Sequence, residues 1–158
     1  MKPALGLALL TLATVPALSA GLAGQEPGPV MRGVPNPAQA RTDYQLKCQG
    51  CHHPDGSGNA VNTPPLADET ARFLHVPGGR EFLGQVPGVA SVDLGDERLA
   101  QLLNWTLYRF DPQHVPADFK PYSAAEIAKL RKTPLRLDRL EVRSRLVADL
   151  ARAGLAPK

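Results

Sequence analysis

The chemistry in this chain of 158 residues is concentrated at Cys48, Cys51 and His52. The two cysteines, the only ones present, stand three positions apart, and the histidine follows the second directly. A disulfide across so short a gap constrains almost no unfolded chain, so it would add little stability. The order Cys48-Gln49-Gly50-Cys51-His52 is instead the haem-attachment pattern. Two thiols on one turn at a helix end can each bond a vinyl-derived carbon on one porphyrin edge, and the next imidazole then points at the iron. Three other accounts compete. A thioredoxin-like pair expects a strand before it and a helix after it, whereas this pair closes a helix and opens a loop. A zinc site needs two further ligands; His53 and His75 can be recruited, but no second close-spaced pair exists. Coincidence would also have to place the motif at a helix end and behind an export signal.

The elements that must hold these groups are helical. Asn36 can cap a helix, Pro37 fits its first position, and Gln39 stands where a capping-box partner belongs. The helix Pro37 to about Gln49 sets Ala40 and Tyr44 on one face. From His53 to Asp68, Gly, Pro, Asn and Ser mark a loop. Short helical pieces are expected over Asp68 to Leu74 and Arg80 to Val86. The clearest helix runs from Asp96 to Phe110, with Asp93 or Gly95 at its cap and Asp111-Pro112 as its stop. Its Leu99, Leu102, Leu103, Thr106 and Phe110 follow the spacing of a buried face, with Trp105 and Leu107 beside it. Ser123 with Glu126 marks another capping box. A last amphipathic segment spans about Asp138 to Ala153, with Leu140, Val147 and Leu150 on one side and Gly154 as its stop. No strand pattern stands out, and the fold class is all-α.

The chain resembles the class I monohaem cytochromes c, through the motif and through Pro64 and Leu66, placed twelve and fourteen residues after His52. The resemblance covers Asn36 to Asp111. It implies a cytochrome c-like helical domain carrying one covalent haem c through Cys48 and Cys51, with His52 as proximal iron ligand. It further implies that the Pro64 carbonyl accepts the Nδ1 hydrogen of His52, that Leu66 packs on the porphyrin, and that the first and last helices of the domain cross near the haem edge. Tyr44 would then pack on Leu102, Leu103 or Thr106. The chain departs from the family at the distal ligand, because no methionine lies between Leu66 and the last of these helices; only Met1 and Met31 exist. Between Ala67 and Val92 there is no Lys, Cys or Asn either, so His75 is the candidate for the sixth iron position. The alternatives are His114, Met31 or an open position.

The opening residues read as an export signal over 1–20: Lys2, an apolar run Ala4 to Val15, a break at Pro16, then Ser19 and Ala20. Cleavage is expected after Ala20, with Ser19 and Ala23 as neighbouring choices. An uncleaved anchor competes, because Ala4 to Leu22 nearly reaches the ~20 apolar residues of a span; the Thr, Pro and Ser content favours cleavage and no stable span after processing. A flexible leader over 21–35, a haem domain over 36–112 and a basic helical C-terminal extension over 113–158 complete the organisation. Residues 21–119 carry seven basic and eleven acidic groups, −4, whereas residues 120–158 carry ten and four, +6. Without interleaved aromatics this tail does not read as a nucleic-acid surface. Electron transfer in the periplasm, from a dehydrogenase to a cytochrome or oxidase, is the leading expectation. It is weighed against a haem enzyme or gas-binding protein with Arg80, His75 or Gln85 near an open iron. In a third reading, the tail clamps the protein onto a dehydrogenase.

Overall fold

The computed structural model describes residues 30–59 and 61–156; the expected export signal and most of the leader lie outside them. Seven α-helices follow one another among the described residues: α1 Pro37–Lys47, α2 Gln49–His52, α3 Gly79–Gln85, α4 Pro87–Ala90, α5 Asp96–Phe110, α6 Ala124–Leu130 and α7 Arg139–Arg152. Two 3-10 turns, Thr70–His75 and Pro112–His114, interrupt the loops. The only β pairing among the described residues is an isolated bridge between Asn59 and Thr63. No helix of the described residues is long and apolar enough to cross a membrane.

The start of α1 follows from its cap. The Asn36 side chain accepts from Gln39 N at 3.0 Å and Pro37 occupies the first turn. The reciprocal half of the expected capping box is replaced: Asn36 N donates to Gln101 Oε1 of α5 at 2.9 Å, while Gln39 turns along the helix to Asp43. The cap therefore also fixes how α1 crosses α5. A second tie comes from buried Asp43, which receives the Arg98 guanidinium of α5. The expected single helix to Gln49 breaks at Cys48, where φ is −125° and ψ −37°, and restarts as the one-turn α2.

The central helix α5 matches the expected span and buries the expected face, from Leu99 to Phe110. Tyr44 shares the main core with Leu102 and Leu103, and its ring also lies 5.5 Å from that of Trp105 and 4.9 Å from that of Phe110, aromatic contacts the sequence did not announce.

The C-terminal extension is built into the same body. Ile127 and Leu130 of α6 join the main core around Tyr44, Trp105 and Phe110. Leu146 and Leu150 of α7 form a second core with Phe73, Val76 and Phe82. Arg131 binds the Ala90, Val92 and Leu94 carbonyls and the Asp96 carboxylate, stapling the end of α6 to the start of α5. One expectation for α7 is corrected: Leu140 is 67% exposed and does not share the buried side with Leu150. At about 100° per residue it stands roughly a third of a turn from Leu146. At the other end, Val34 of the expected leader is buried, and Gly33 O accepts from Asn104.

Candidate haem site

Cys48, Cys51 and His52 line one mostly apolar cleft of about 370 Å³, inside the range of small-molecule and cofactor sites. Its walls come from segments far apart in the chain. The loop after the motif contributes Pro64 and Leu66, α5 contributes Leu99, Leu102, Leu103 and Thr106, and the middle segment contributes Phe73, Phe82, Leu83, Val86 and Val89. The one-turn α2 holds the motif: His52 N and Cys51 N donate to Cys48 O at 3.0 and 3.1 Å.

The loop is shaped by local hydrogen bonds. Tyr44 Oη donates to His53 O at 2.6 Å, and the Asn59 carboxamide accepts from Val61 N and Asn62 N, both at 3.0 Å. Gly58 N donates to His52 O at 3.2 Å, and Gly58 has φ +63°. A Cβ there would fall 2.2 Å from Thr63 O and 2.7 Å from Pro64 O, so only glycine lets the two passes of the loop come this close.

His52 Nδ1 is buried and has no hydrogen-bond partner among the described residues. The Pro64 carbonyl lies near enough to raise the imidazole's proton affinity, yet falls short of hydrogen-bond geometry. Burial outweighs it and holds the His52 pKa below its ordinary value, so the ring is neutral. A neutral imidazole is the form that binds a metal. Burial also pushes the Cys48 thiol up to about 11, with Asp43 and Cys51 adding to it. Two sulfurs, a neutral imidazole and an apolar cleft make a set that fits haem c. The orphaned Nδ1 beside Pro64 O is where such a ligand's outer hydrogen bond belongs. Among the described residues, no group of three or more His, Cys, Asp or Glu side chains is placed to hold a metal ion.

His75 is not brought to this cleft. It ends the 3-10 turn, exposed to solvent, and its Nε2 meets His114 O at 2.8 Å. His114 itself pairs with buried Asp111, and His53 Nδ1 meets Ser57 Oγ at 3.0 Å. Met31 packs against the main core, outside the cleft lining. The polar groups expected near an open iron are also engaged elsewhere: Arg80 by Glu126, and Gln85 by Thr133 Oγ1 at 2.8 Å. Conversely, Arg139, Leu140 and Arg143 of α7 line the cleft, although nothing in the sequence reading assigned them to it.

No family model matches the chain, and no solved structure does. It is similar to cytochrome c-552 of Thermus thermophilus, 35% identical over 107 residues that span 56% of this chain and 82% of the relative. A second cytochrome c-552, from a named strain of the same organism, is also 35% identical over 107 residues, with 72% of it covered. With the attachment motif lining a helical, apolar cleft, this degree of identity shows the family: the chain belongs to the c-type cytochromes, electron-transfer proteins rather than enzymes that carry haem c.

Proposed function

We propose that this cytochrome carries single electrons in the periplasm, from a dehydrogenase or other donor to a downstream cytochrome or oxidase. In this reading Cys48 and Cys51 bond one haem c, His52 is an axial iron ligand, and Pro64 and Leu66 support it. The observation that carries the proposal is the convergence of both thiols and the half-buried His52 ring, its Nδ1 shut off from solvent, on a single apolar cleft. The haem, when bound, supplies reversible one-electron chemistry. The chain attaches it, keeps the imidazole neutral and oriented, and excludes water with the leucines of α5. Export rests on the opening residues Lys2 to Ala20, a positive start, an apolar run and small residues at its end. The test is a mature protein made in a host competent for haem maturation. Its mass should equal the processed chain plus one haem, and its spectrum should cycle between ferric and ferrous forms with a dehydrogenase donor. Colourless protein would end the proposal.

A second reading concerns the iron's sixth position. Among the described residues, the cleft lining holds His52 and no other imidazole or thioether. That supports an iron to which a small neutral ligand binds. Carbon monoxide should bind the reduced, unmutated protein, and His75→Ala should leave its spectrum unaltered. A spectrum of six-coordinate iron that ignores carbon monoxide, or one that changes with His75→Ala, would overturn this reading.

A further inference from the structure

Along α7, Arg139, Arg143, Leu146 and Leu150 follow the four-three-four spacing of one helical stripe. Leu146 and Leu150 use it as expected and are fully buried against the Phe73 and Phe82 side of the molecule. The stripe then continues toward the N-terminus of the helix with two arginines where leucines would extend the core. Both line the cleft, together with Leu140, and neither is fully exposed. Arg143 makes one loose pair, its Nη2 3.8 Å from Glu69 Oε2.

Half-buried guanidinium groups lining an apolar cleft are stabilised by an anion. Besides these two, the only lysine or arginine lining the cleft among the described residues is Lys47. Lys47 directly precedes Cys48 and so stands at the sulfur-bonded edge of any porphyrin held here. The two carboxylates of a haem leave from the edge opposite the vinyl-derived carbons. They therefore require partners elsewhere on the cleft, and a guanidinium is the side chain that grips a carboxylate with two parallel hydrogen bonds.

Resting on the haem reading above, we infer that the C-terminal extension is part of the haem site, with Arg139 and Arg143 binding the haem propionates and Leu140 covering the porphyrin beside them. The basic tail is thereby used inward, on the cofactor, rather than outward as a clamp for a dehydrogenase. Leu146 and Leu150 anchor the helix, so its first turn is held over the cleft. Both arginines are binding residues for the propionates, and their charge acts on the iron through space: a nearby cation favours the ferrous state over the more positive ferric one.

The experiment uses the haem-loaded full chain with Arg139→Gln, Arg143→Gln, the double variant, and Arg145→Gln on the far, exposed side of α7. Each is measured by mass, thermal unfolding and midpoint potential as a function of pH. The double variant should keep its haem yet show a lower potential. It should also show a new pH dependence near neutrality, as the unpaired propionates titrate. Each single variant should give part of the shift, Arg→Lys at both positions should restore most of the potential, and Arg145→Gln should match the parent. A double variant whose potential and pH profile equal the parent's would overturn the inference while leaving the haem reading intact. A parent chain that acquires no haem would overturn both. Equal shifts in Arg145→Gln and the double variant would show a general charge effect and would also defeat it.

Discussion

Arg80 and Glu126 meet in a two-pronged ion pair, Nε to Oε1 at 2.6 Å and Nη2 to Oε2 at 2.7 Å, that joins α3 to α6. The same guanidinium donates to Lys120 O at 2.8 Å and lies 4.1 Å above the Tyr122 ring. The side chains of the pair are 28% and 30% exposed, so the charge attraction alone is modest, and the shared geometry matters more. Glu126 was expected to turn back onto its own helix cap. Ser123 still caps Glu126 N at 3.2 Å, but the carboxylate is taken by Arg80. Arg80→Ala should lower the unfolding free energy by about 2 kcal/mol, from lost hydrogen bonds and the lost cation–π contact. Arg80→Lys should recover only part of it, because a lysine cannot fork. Denaturant titration of the two variants checks this. Equal losses would mean the fork is unimportant.

Asn104 makes a comparable tie inside the core. It is 1% exposed, donates from Nδ2 to Gly33 O and Tyr122 O, both at 3.1 Å, and accepts from Tyr122 N at 2.8 Å. One carboxamide thus pins the segment before α1 and the segment before α6 to the middle of α5. Asn104→Ala leaves the two buried backbone groups of Tyr122 without partners, each costing about 1–3 kcal/mol, and frees the part-buried Gly33 carbonyl. The expected loss is about 3 kcal/mol or more, seen as a lowered denaturation midpoint with the haem band unshifted. A variant as stable as the parent would show that water replaces the amide.

The haem motif, the span of α5 and the caps at Asn36 and Ser123 were legible because each is a local pattern: three reactive side chains in five residues, a three-four apolar repeat, a polar residue before a helical run. Partners across the chain were not. Nothing near Gln101, Asn104 or Arg131 announces that each satisfies backbone groups far away in sequence, and a polar residue inside a helical run reads as solvated. His75 illustrates the converse. It was selected as the only nitrogen ligand between Ala67 and Val92, yet eligibility by type says nothing about which way a short 3-10 turn aims it. The arginines of α7 did carry a local signal, since they occupy the stripe that Leu146 and Leu150 define. It was obscured by assigning Leu140 to that stripe.

Alkaline stability follows from the buried phenols. Burial, with the Cys48 and Asp55 charges adding, pushes the Tyr44 hydroxyl up to about 12, and burial raises Tyr122 as well. The folded chain thus holds these protons more tightly than the unfolded chain, where a tyrosine ionises near about 10. Stability from this source is whole below about pH 10 and falls as pH rises toward 12. Tyr44→Phe should lower stability at neutral pH by about 1 kcal/mol, through loss of the bond to His53 O. It should also flatten the alkaline slope. Unfolding free energies at several pH values above 9 test both, and an unchanged slope would exclude Tyr44 as a source.

The loop that carries Pro64 offers the sharpest test of how the imidazole is held. Gly58 needs φ +63°, and an added Cβ would strike the Thr63 and Pro64 carbonyls; at Gly50, inside the motif, an added Cβ meets nothing within 4 Å. Gly58→Ala must therefore displace the Thr63 and Pro64 carbonyls, whereas Gly50→Ala changes no contact. A strained left-handed residue costs about 1–3 kcal/mol before the clash is added, so a loss of at least about 3 kcal/mol is expected for Gly58→Ala. Moving Pro64 O also disturbs the group that raises the basicity of His52; under the proposed ligation this weakens the imidazole as a donor to iron and should raise the midpoint potential. Gly50→Ala should leave stability and potential at parental values. If Gly58→Ala destabilised the chain without moving the potential, Pro64 would be a scaffold for the loop and not a partner of His52.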